Sequence, residues 1–393
     1  MRWWLVLSCW MVILFSSCNK KIKLREVVYS DSLYQTIQID PDALKSNDIS
    51  VVSEFCSEIE YIPLETSDSV LIGNIKRLYV WNGHYYIWDG MSDVVFCFDE
   101  NGRFLHKLDK KGGGPSEYYR ISDMFLDTRS GNICIYSDMS QAVFVYTAQG
   151  NFIRKISLPI VMSTIAMEND KIFLYAGRMP NNVYFKDSYP EQYRFLSWSN
   201  DTIFNQQLAF TFHEEFLRVS VSPMNFTISN DGILLTEHLD PTVYHIDSLG
   251  VLTPRYKIKF LSNTLKFSFN DIGSLSLLQQ AEKSGTHTFL FGGFYENNRY
   301  AFLCYSRKLV GGAYVTKDDG TVHNLGYLLF DDFNNVFLPM VTDFIDDNYL
   351  YKKMESIHFM KYASHEKASM KFKDMANRMN EEDNPIIIRM KLK

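Results

Sequence analysis

Hydrophobic residues alternate with polar ones in short runs along most of the chain, and turn-forming residues separate these runs. The clearest case lies between residues 75 and 159, where one pattern occurs twice. Each copy has four β-rich runs, and Gly102 and Gly150 lie at matching turns, followed by Phe104 and Phe152. One isolated sheet cannot bury both of its faces. The repeat therefore predicts neighbouring sheets that stack on one another.

The turns predict how many sheets there are. Tight turns suited to the first hairpin of a unit occur at six places, which are Asn82-Gly83, Ser130-Gly131, Asn169-Asp170, Asp231-Gly232, Asn297-Asn298 and Asp347-Asn348. Outer hairpin turns occur at five, which are Asn101-Gly102, Gln149-Gly150, Asn200-Asp201, Leu249-Gly250 and Asp319-Gly320. Successive outer turns are 48, 51, 49 and 70 residues apart. The spacing predicts six units, with an insertion before the fifth outer turn.

Helical periodicity appears in that insertion, over Ser268–Ser284, and in the last unit, over Ser364–Met379, which takes the place of an outer turn. The last unit ends with a strand at Ile386–Leu392 and is one strand short. The segment Glu58–Glu65 is a spare strand that completes it, and this pairing closes a ring. The pattern predicts an all-β, six-bladed β-propeller of four-stranded blades with small helical insertions. A pair of β-sandwiches is the alternative, but it does not explain the regular spacing.

Targeting signals occupy the start of the chain. Arg2 precedes a short apolar run from Trp3 to Phe15, and Phe15-Ser16-Ser17-Cys18 is typical of a bacterial lipobox. The prediction is a signal peptide at 1–17, a lipid on Cys18, a polar tether at 18–50 and the propeller at 51–393. An ordinary secretory signal cut near Ser17 is the alternative.

The distribution of charge indicates the cellular location and the classes of partner. The residues after Cys18 are basic rather than acidic, which favours the periplasmic side of the outer membrane. The net charge is −6, and removal of 1–17 takes away Arg2 and leaves −7. No basic domain is present, so nucleic acid is not an expected partner, and the lipid anchor predicts a membrane one.

Four cysteines remain in the predicted propeller, and none forms a CxxC motif. They are Cys56, Cys97, Cys134 and Cys304. Buried free thiols are the prediction, because cysteine packs as a small hydrophobe. A periplasmic disulfide is the alternative, and the sequence does not assign its pairing.

Four segments carry a family resemblance: YIPLE at Tyr61–Glu65, GNI at Gly73–Ile75, KKGGGPSEY at Lys110–Tyr118 and NPIIIRMKLK at Asn384–Lys393. Together they resemble the six-bladed β-propeller lipoproteins of Bacteroidetes, which are similar to NHL-type and TolB-like propellers. The resemblance implies a propeller fold and an envelope address. It implies no activity.

The long loops predict where a ligand binds. In a propeller, the loops between second and third strands share one face with the sheet-to-sheet connections, and functional residues concentrate on such loops. The loop around Gly112–Pro115 has backbone amides for an anion, with Glu117, Tyr118 and Arg120 beside it; a plain tight connection is the alternative. Arg178, His213 and His238 lie on other loops of this face and are further ligand-binding candidates.

No motif identifies a reaction. The HExxH, GxSxG and Walker A patterns are absent from the sequence, and no catalytic residue, metal ligand or cofactor is assigned. The prediction is a cell-envelope binding or interaction module for a glycan, a peptide or an envelope protein. The alternative is a metal-dependent hydrolase or lyase acting on glycan or peptide at the channel mouth.

Overall fold

The computed structural model describes residues 34–43, 49–218, 226–237 and 239–393. The predicted signal peptide, the lipobox with Cys18, and His238 lie outside the described residues. Within them the fold is all-β with few helices, in a β-propeller arrangement of four-stranded blades.

Three strands precede the first complete sheet: β1 (Gln35–Ile39), β2 (Ile49–Val51) and β3 (Cys56–Pro63), with a 3-10 turn at Val52–Glu54 between the last two. Sheet 1 contains β4 (Ile75–Trp81), β5 (His84–Asp89), β6 (Val94–Phe98) and β7 (Phe104–Leu108). Sheet 2 contains β8 (Asp123–Asp127), β9 (Asn132–Ser137), β10 (Ala142–Tyr146) and β11 (Phe152–Ser157). Sheet 3 contains β12 (Thr164–Glu168), β13 (Lys171–Tyr175), β14 (Glu191–Ser199) and β15 (Thr202–Thr211).

The second half repeats the meander with additions. After a 3-10 helix at Glu214–Arg218, sheet 4 contains β16 (Phe226–Ser229), β17 (Gly232–Thr236), β18 (Thr242–Ile246) and β19 (Leu252–Phe260). Helix α1 (Ser274–Ser284) precedes sheet 5, which contains β20 (Phe289–Glu296), β21 (Tyr300–Ser306), β22 (Val310–Thr316) and β23 (Thr321–Gly326). Sheet 5 is extended by β2 and by the hairpin of β24 (Leu328–Asp331) and β25 (Val336–Leu338). The last elements are β26 (Phe344–Ile345), β27 (Tyr349–Met354), α2 (Ser356–Ala363), α3 (Met370–Ala376) and β28 (Ile386–Leu392). Strands β26, β27 and β28 form sheet 6 together with β3.

Stacking explains why the inner and middle strands are buried on both faces. Every residue of the innermost strand β8 and of the middle strands β6 and β10 is buried, whereas the outer strand β11 is largely exposed. The predicted turns are present as well: Gly102 and Gly150 have φ of 79° and 81° at their outer hairpins, and Asn82 has φ of 50° in a first hairpin. Left-handed backbone at these sites is what glycine and asparagine accept most readily.

A buried ion pair joins the first three sheets. Asp123 on β8 accepts hydrogen bonds from Arg77 on β4, at 3.0 Å from Nε and 2.7 Å from Nη2. Its other carboxylate oxygen accepts from the backbone N–H of Ile165 on β12 at 2.8 Å. One carboxylate therefore connects the innermost strands of sheets 1, 2 and 3.

The other neighbouring sheets are linked by polar contacts too. These are Arg194 Nε to Glu237 at 2.6 Å between sheets 3 and 4, Thr227 Oγ1 to the Phe294 carbonyl at 2.6 Å between sheets 4 and 5, Asn297 Nδ2 to the Asp346 carbonyl at 2.9 Å between sheets 5 and 6, and Lys353 Nζ to the Ile75 carbonyl between sheets 6 and 1.

The predicted union of the chain ends is present. Strand β3 pairs antiparallel with β28, with Ile62 opposite Ile387, so sheet 6 has the order β26-β27-β28-β3. The buried Asn384 side chain fixes the junction, since it accepts from the Ile72 N–H at 2.7 Å and donates to the carbonyls of Glu65 and Val70.

The segment 18–50, predicted as a polar tether with one added short strand at Leu33–Ile39, contains a strand at Gln35–Ile39 that belongs to the propeller. Strand β1 pairs parallel with β19, and Ile37 and Ile39 are each 1% exposed. The Gln35 side chain lies against Gly320 in the outer turn of sheet 5, so β1 runs from that turn towards the opposite face. Five residues offer too short an alternation to reveal a partner strand more than 200 positions away.

The helix predictions were partly right. The helix predicted at Ser268–Ser284 begins only at Ser274, because Asp271 uses its carboxylate to accept from the Gly273 N–H in a turn instead of capping a helix. The helix predicted at Ser364–Met379 is confined to α3, where Ser369 caps the N-terminus, and α2 was missed. The four described cysteines are buried and free, as predicted.

Candidate functional site

The first-hairpin turns of all six sheets meet around a cavity of about 890 Å³. We call it the axial cup, and the face on which it opens the turn face; the opposite face, with the longer connections, is the loop face. The residues that contribute lie in these turns or at the strand ends beside them: 82–83, 127–129, 168, 229–232, 298 and 346–348. Since each turn follows the innermost strand of its sheet, the cup lies on the propeller axis.

The cup has an apolar floor and a polar rim. The floor consists of side chains near the ends of inner strands, which are Val80, Phe125, Met167, Ile228 and Phe344. The rim carries the turn residues Asn82, Asn230, Asn298 and Asn348 together with six carboxylates and two guanidinium groups, which are Glu100, Asp127, Glu168, Asp231, Asp346, Asp347, Arg129 and Arg389. The lining therefore carries an excess of negative charge.

Hydrogen bonds inside the turns hold the rim in place. Asp346 accepts from the Tyr351 hydroxyl at 2.7 Å and from the Tyr349 N–H at 2.7 Å. Asp127 accepts from the Ser130 hydroxyl at 2.7 Å. Such turns are short and braced at both ends, so the rim carboxylates are preorganised rather than mobile.

Contacts between turns connect the rim. Trp81 Nε1 donates to the Thr128 carbonyl at 2.9 Å, which joins sheets 1 and 2. Arg129 forms an ion pair with Glu168 at 2.9 Å, which joins sheets 2 and 3. The Asn230 amide donates to the Asp347 carboxylate and so reaches from sheet 4 to sheet 6.

A second cavity, of about 240 Å³, lies beside the cup. Glu100 and Arg389 line both cavities. The outer cavity lies between β3 and α3 and is lined by Tyr61, Phe372 and Met375 among others. We call this outer cavity, at the junction of sheets 6 and 1, the groove.

The residues predicted beside the Gly112–Pro115 loop lie on the loop face. Glu117 folds back onto the loop and accepts from the Gly114 N–H at 2.9 Å, so the protein's own carboxylate occupies the position predicted for an anion. Tyr118 is fully buried, and its hydroxyl lies 3.1 Å from the Asp93 carbonyl. Arg120 binds Asp138 through Nε at 2.8 Å and lowers the pKa of that carboxyl to about 2.

The remaining candidates are dispersed. Arg178 is half-buried, and burial lowers its pKa, while His213 is half-buried just before the 3-10 helix. His238 lies outside the described residues. None of the five described candidates, Glu117, Tyr118, Arg120, Arg178 and His213, is among the residues that line the axial cup.

A buried charged cluster does lie on the loop face, between sheets 3 and 4. Arg194 and Glu237 form two hydrogen bonds, of 2.6 and 3.0 Å, and the Tyr175 hydroxyl donates to Glu237 at 2.9 Å. The guanidinium is also 4.9 Å from the centre of the Phe269 ring, which covers it. Burial, together with the charge of Glu237, raises the pKa of the neighbouring Asp240 to about 6. The polar groups of this cluster are hydrogen-bonded to one another, and the guanidinium is covered by Phe269. The cluster therefore acts as a link between sheets 3 and 4.

Within the described ranges, no three His, Cys, Asp or Glu side chains are placed to hold a metal ion together. The metal-dependent alternative therefore gains no support from this part of the chain. A separate finding concerns the helices: none of those described is both long and apolar enough to cross a membrane.

The chain resembles known proteins in both sequence and structure. The family model described as "Domain of unknown function (DUF4934)" matches residues 34–391. The chain belongs to this family. The match begins at β1, so the DUF4934 domain includes the strand that polarity assigned to the tether. No curated protein matches the chain.

Two solved structures resemble this DUF4934 chain over nearly its whole length. BF0058 of Bacteroides fragilis, a protein regarded as exported, has 18% identity and a TM-score of 0.72, over 91% of this chain and 99% of the other. A DUF4221 family member from Bacteroides vulgatus has 13% identity and a TM-score of 0.52, over 89% of this chain and 99% of its own. At these identities the likeness shows the fold alone.

Proposed function

We propose that this DUF4934 protein is a ligand-binding module of the cell envelope, a six-bladed propeller that holds its ligand in the axial cup. The observation that carries the proposal is the cup itself, about 890 Å³ in volume and lined by turns from every sheet. Ligand sites are typically concave and combine apolar surface with fixed polar groups, and this cup has an apolar floor below a polar rim. The polar link at each of the six sheet-to-sheet junctions supports the blade count.

The cup, rather than the loop face, is the better site for a physical reason. The loop-face candidates are engaged in contacts within the protein: Glu117 with its own loop, Tyr118 in the core, and Arg120 with Asp138. In the cup, the exposed turn residues Asn82 and Asn298 face open space on the axis.

The cellular location of the protein is proposed from the sequence. Phe15–Cys18 supports a lipid anchor on Cys18, and the basic residues after it support an outer-membrane lipoprotein that faces the periplasm. The likeness to BF0058, regarded as exported, is consistent with this address.

The test is a thermal-shift screen of the chain from residue 19 onward against oligosaccharides and short peptides of either charge, followed by titration of each hit. Asn298→Trp narrows the mouth of the cup from an exposed turn, and Leu309→Trp is the matched control on the loop face of the same sheet. We expect Asn298→Trp to abolish binding and Leu309→Trp to leave it unchanged. The reverse result would place the site on the loop face and overturn the proposal.

A further inference from the structure

The charge on the rim of the axial cup is not cancelled by the protein. Arg129 pairs with Glu168, and Asp231 pairs with Arg255 at 2.7 Å. By contrast, none of the ion pairs among the described residues includes Asp127, Asp346 or Asp347.

These three carboxylates accept hydrogen bonds from neutral donors. Asp127 accepts from Ser130, Asp346 from Tyr351, and Asp347 from Asn230. A hydrogen bond from a neutral group fixes the position of a carboxylate but leaves its charge in place. Negative charge from sheets 2 and 6 therefore meets at one mouth.

The floor below this rim is apolar. Val80 and Ile228 are half-buried and keep part of their apolar surface accessible, and Phe344 completes the floor. A ligand group that complements both the apolar floor and the negatively charged rim has an aliphatic stem and a cationic end. Lysine and arginine side chains have this form, because their methylene stems pack on apolar surfaces while their charged ends stay in polar surroundings.

The groove beyond the cup indicates the size of the ligand. Glu100 and Arg389 line the cup and the outer cavity alike, so the two spaces are immediate neighbours. The outer cavity offers Tyr61, Phe372 and Met375 to apolar side chains. A chain of several residues fits this path better than a compact small molecule.

We infer that the axial cup and its groove bind an extended basic peptide segment, with one lysine or arginine side chain inserted at the axis. This inference rests on the proposed function and names the ligand class for the same site. The recognition is by charge and shape: the rim carboxylates bind the cationic end, the floor binds the stem, and the groove holds the neighbouring residues.

The test uses tetra-L-lysine and its fully Nε-acetylated form in calorimetric titrations of the chain from residue 19 onward. We expect tetra-L-lysine to bind and the acetylated form to bind about 10-fold more weakly, since a lost charge contact of ~1.4 kcal/mol is tenfold in affinity. Affinity should also fall between 50 mM and 300 mM NaCl, because salt screens exposed charges.

Matched variants locate the charge effect. Asp347→Asn and Asp127→Asn remove rim charges that accept from neutral donors, and each should weaken tetra-L-lysine binding about 5-fold, as expected for one partly screened charge. Asp318→Asn removes an exposed carboxylate of the same face outside the cup and should change nothing. Equal effects of Asp347→Asn and Asp318→Asn would mean diffuse attraction to an acidic surface and would overturn the inference.

The two proposals fail in different ways. If tetra-L-lysine does not bind, or binds no better than its acetylated form, the peptide inference is wrong. If, in that case, a neutral oligosaccharide binds and Asn298→Trp abolishes its binding, the axial site itself stands. If Asn298→Trp has no effect on any bound probe, the axial site is wrong as well.

Discussion

The buried Arg77–Asp123 pair offers the sharpest test of how the ring is held together. Asp123 is 2% exposed and accepts two hydrogen bonds from Arg77 and one from the Ile165 N–H. Asp123→Ala removes the carboxylate from a guanidinium that is itself buried. Breaking such a pair by removing one partner costs ~3–5 kcal/mol, because the remaining charge loses its compensation in a region without bulk water.

The Ile165 N–H adds to this cost. A buried donor that loses its acceptor costs ~1–3 kcal/mol, and the two effects overlap, so we expect Asp123→Ala to lose about 5 kcal/mol. The assay is urea unfolding followed by tryptophan fluorescence, with the midpoint and the slope compared between variants.

The double variant Arg77→Met with Asp123→Leu is the control. Replacing both charges by apolar side chains of similar volume removes the unpaired charge and leaves mainly the Ile165 N–H unsatisfied, so its loss should be ~1–3 kcal/mol. A loss below about 1 kcal/mol for Asp123→Ala, or a double variant as unstable as the single one, would refute the view that this carboxylate joins three sheets.

Three further predictions follow. Ile39→Ala should cost ~2–5 kcal/mol in the same urea assay, because the side chain is 1% exposed beneath the outer edge of sheet 4; a loss within ~0.5 kcal/mol would show that β1 is dispensable. Asp240, whose pKa is raised to about 6, should stabilise the fold most below about pH 4, its usual pKa, and lose that contribution as the pH rises through 6. Melting temperatures of Asp240→Asn between pH 4 and 7 should therefore fall less steeply than those of the parent, and parallel curves would contradict this. Cys18→Ala should move the protein from the membrane fraction to the soluble periplasm, as detected by immunoblot, and an unchanged membrane fraction would exclude the lipid anchor.

Local chemistry made much of the fold predictable. The turns at Asn82 and Gly102 could be predicted because few residues accept left-handed backbone. The pairing of β3 with the last unit could be predicted because that unit was one strand short. The parallel addition of β1 was not predictable, since its two buried isoleucines depend on a distant partner. Helix α2 was missed because it is only eight residues long and follows β27 after a single residue.

The candidate site, unlike the fold, could not be predicted from the sequence. The residues of the rim were recognised, but only as turn formers: Asn and Asp suit tight turns, and this sufficed to explain them. That the same side chains surround a cavity depends on six turns meeting at one axis, which is a property of the closed ring. Loop length directed attention to the other face, where the structure places Glu117 and Arg120 in contacts within the protein.

The direction of β1 determines on which face of the propeller the described chain begins. The strand starts beside the outer turn of sheet 5 and ends near Leu261, so the chain arrives on the turn face. With a lipid on Cys18, the 16 residues to Tyr34 reach at most ~55 Å when fully extended. A lipid anchor at Cys18 would therefore tether the protein on the same face as the mouth of the cup, and the tether and the ligand would share that side of the propeller.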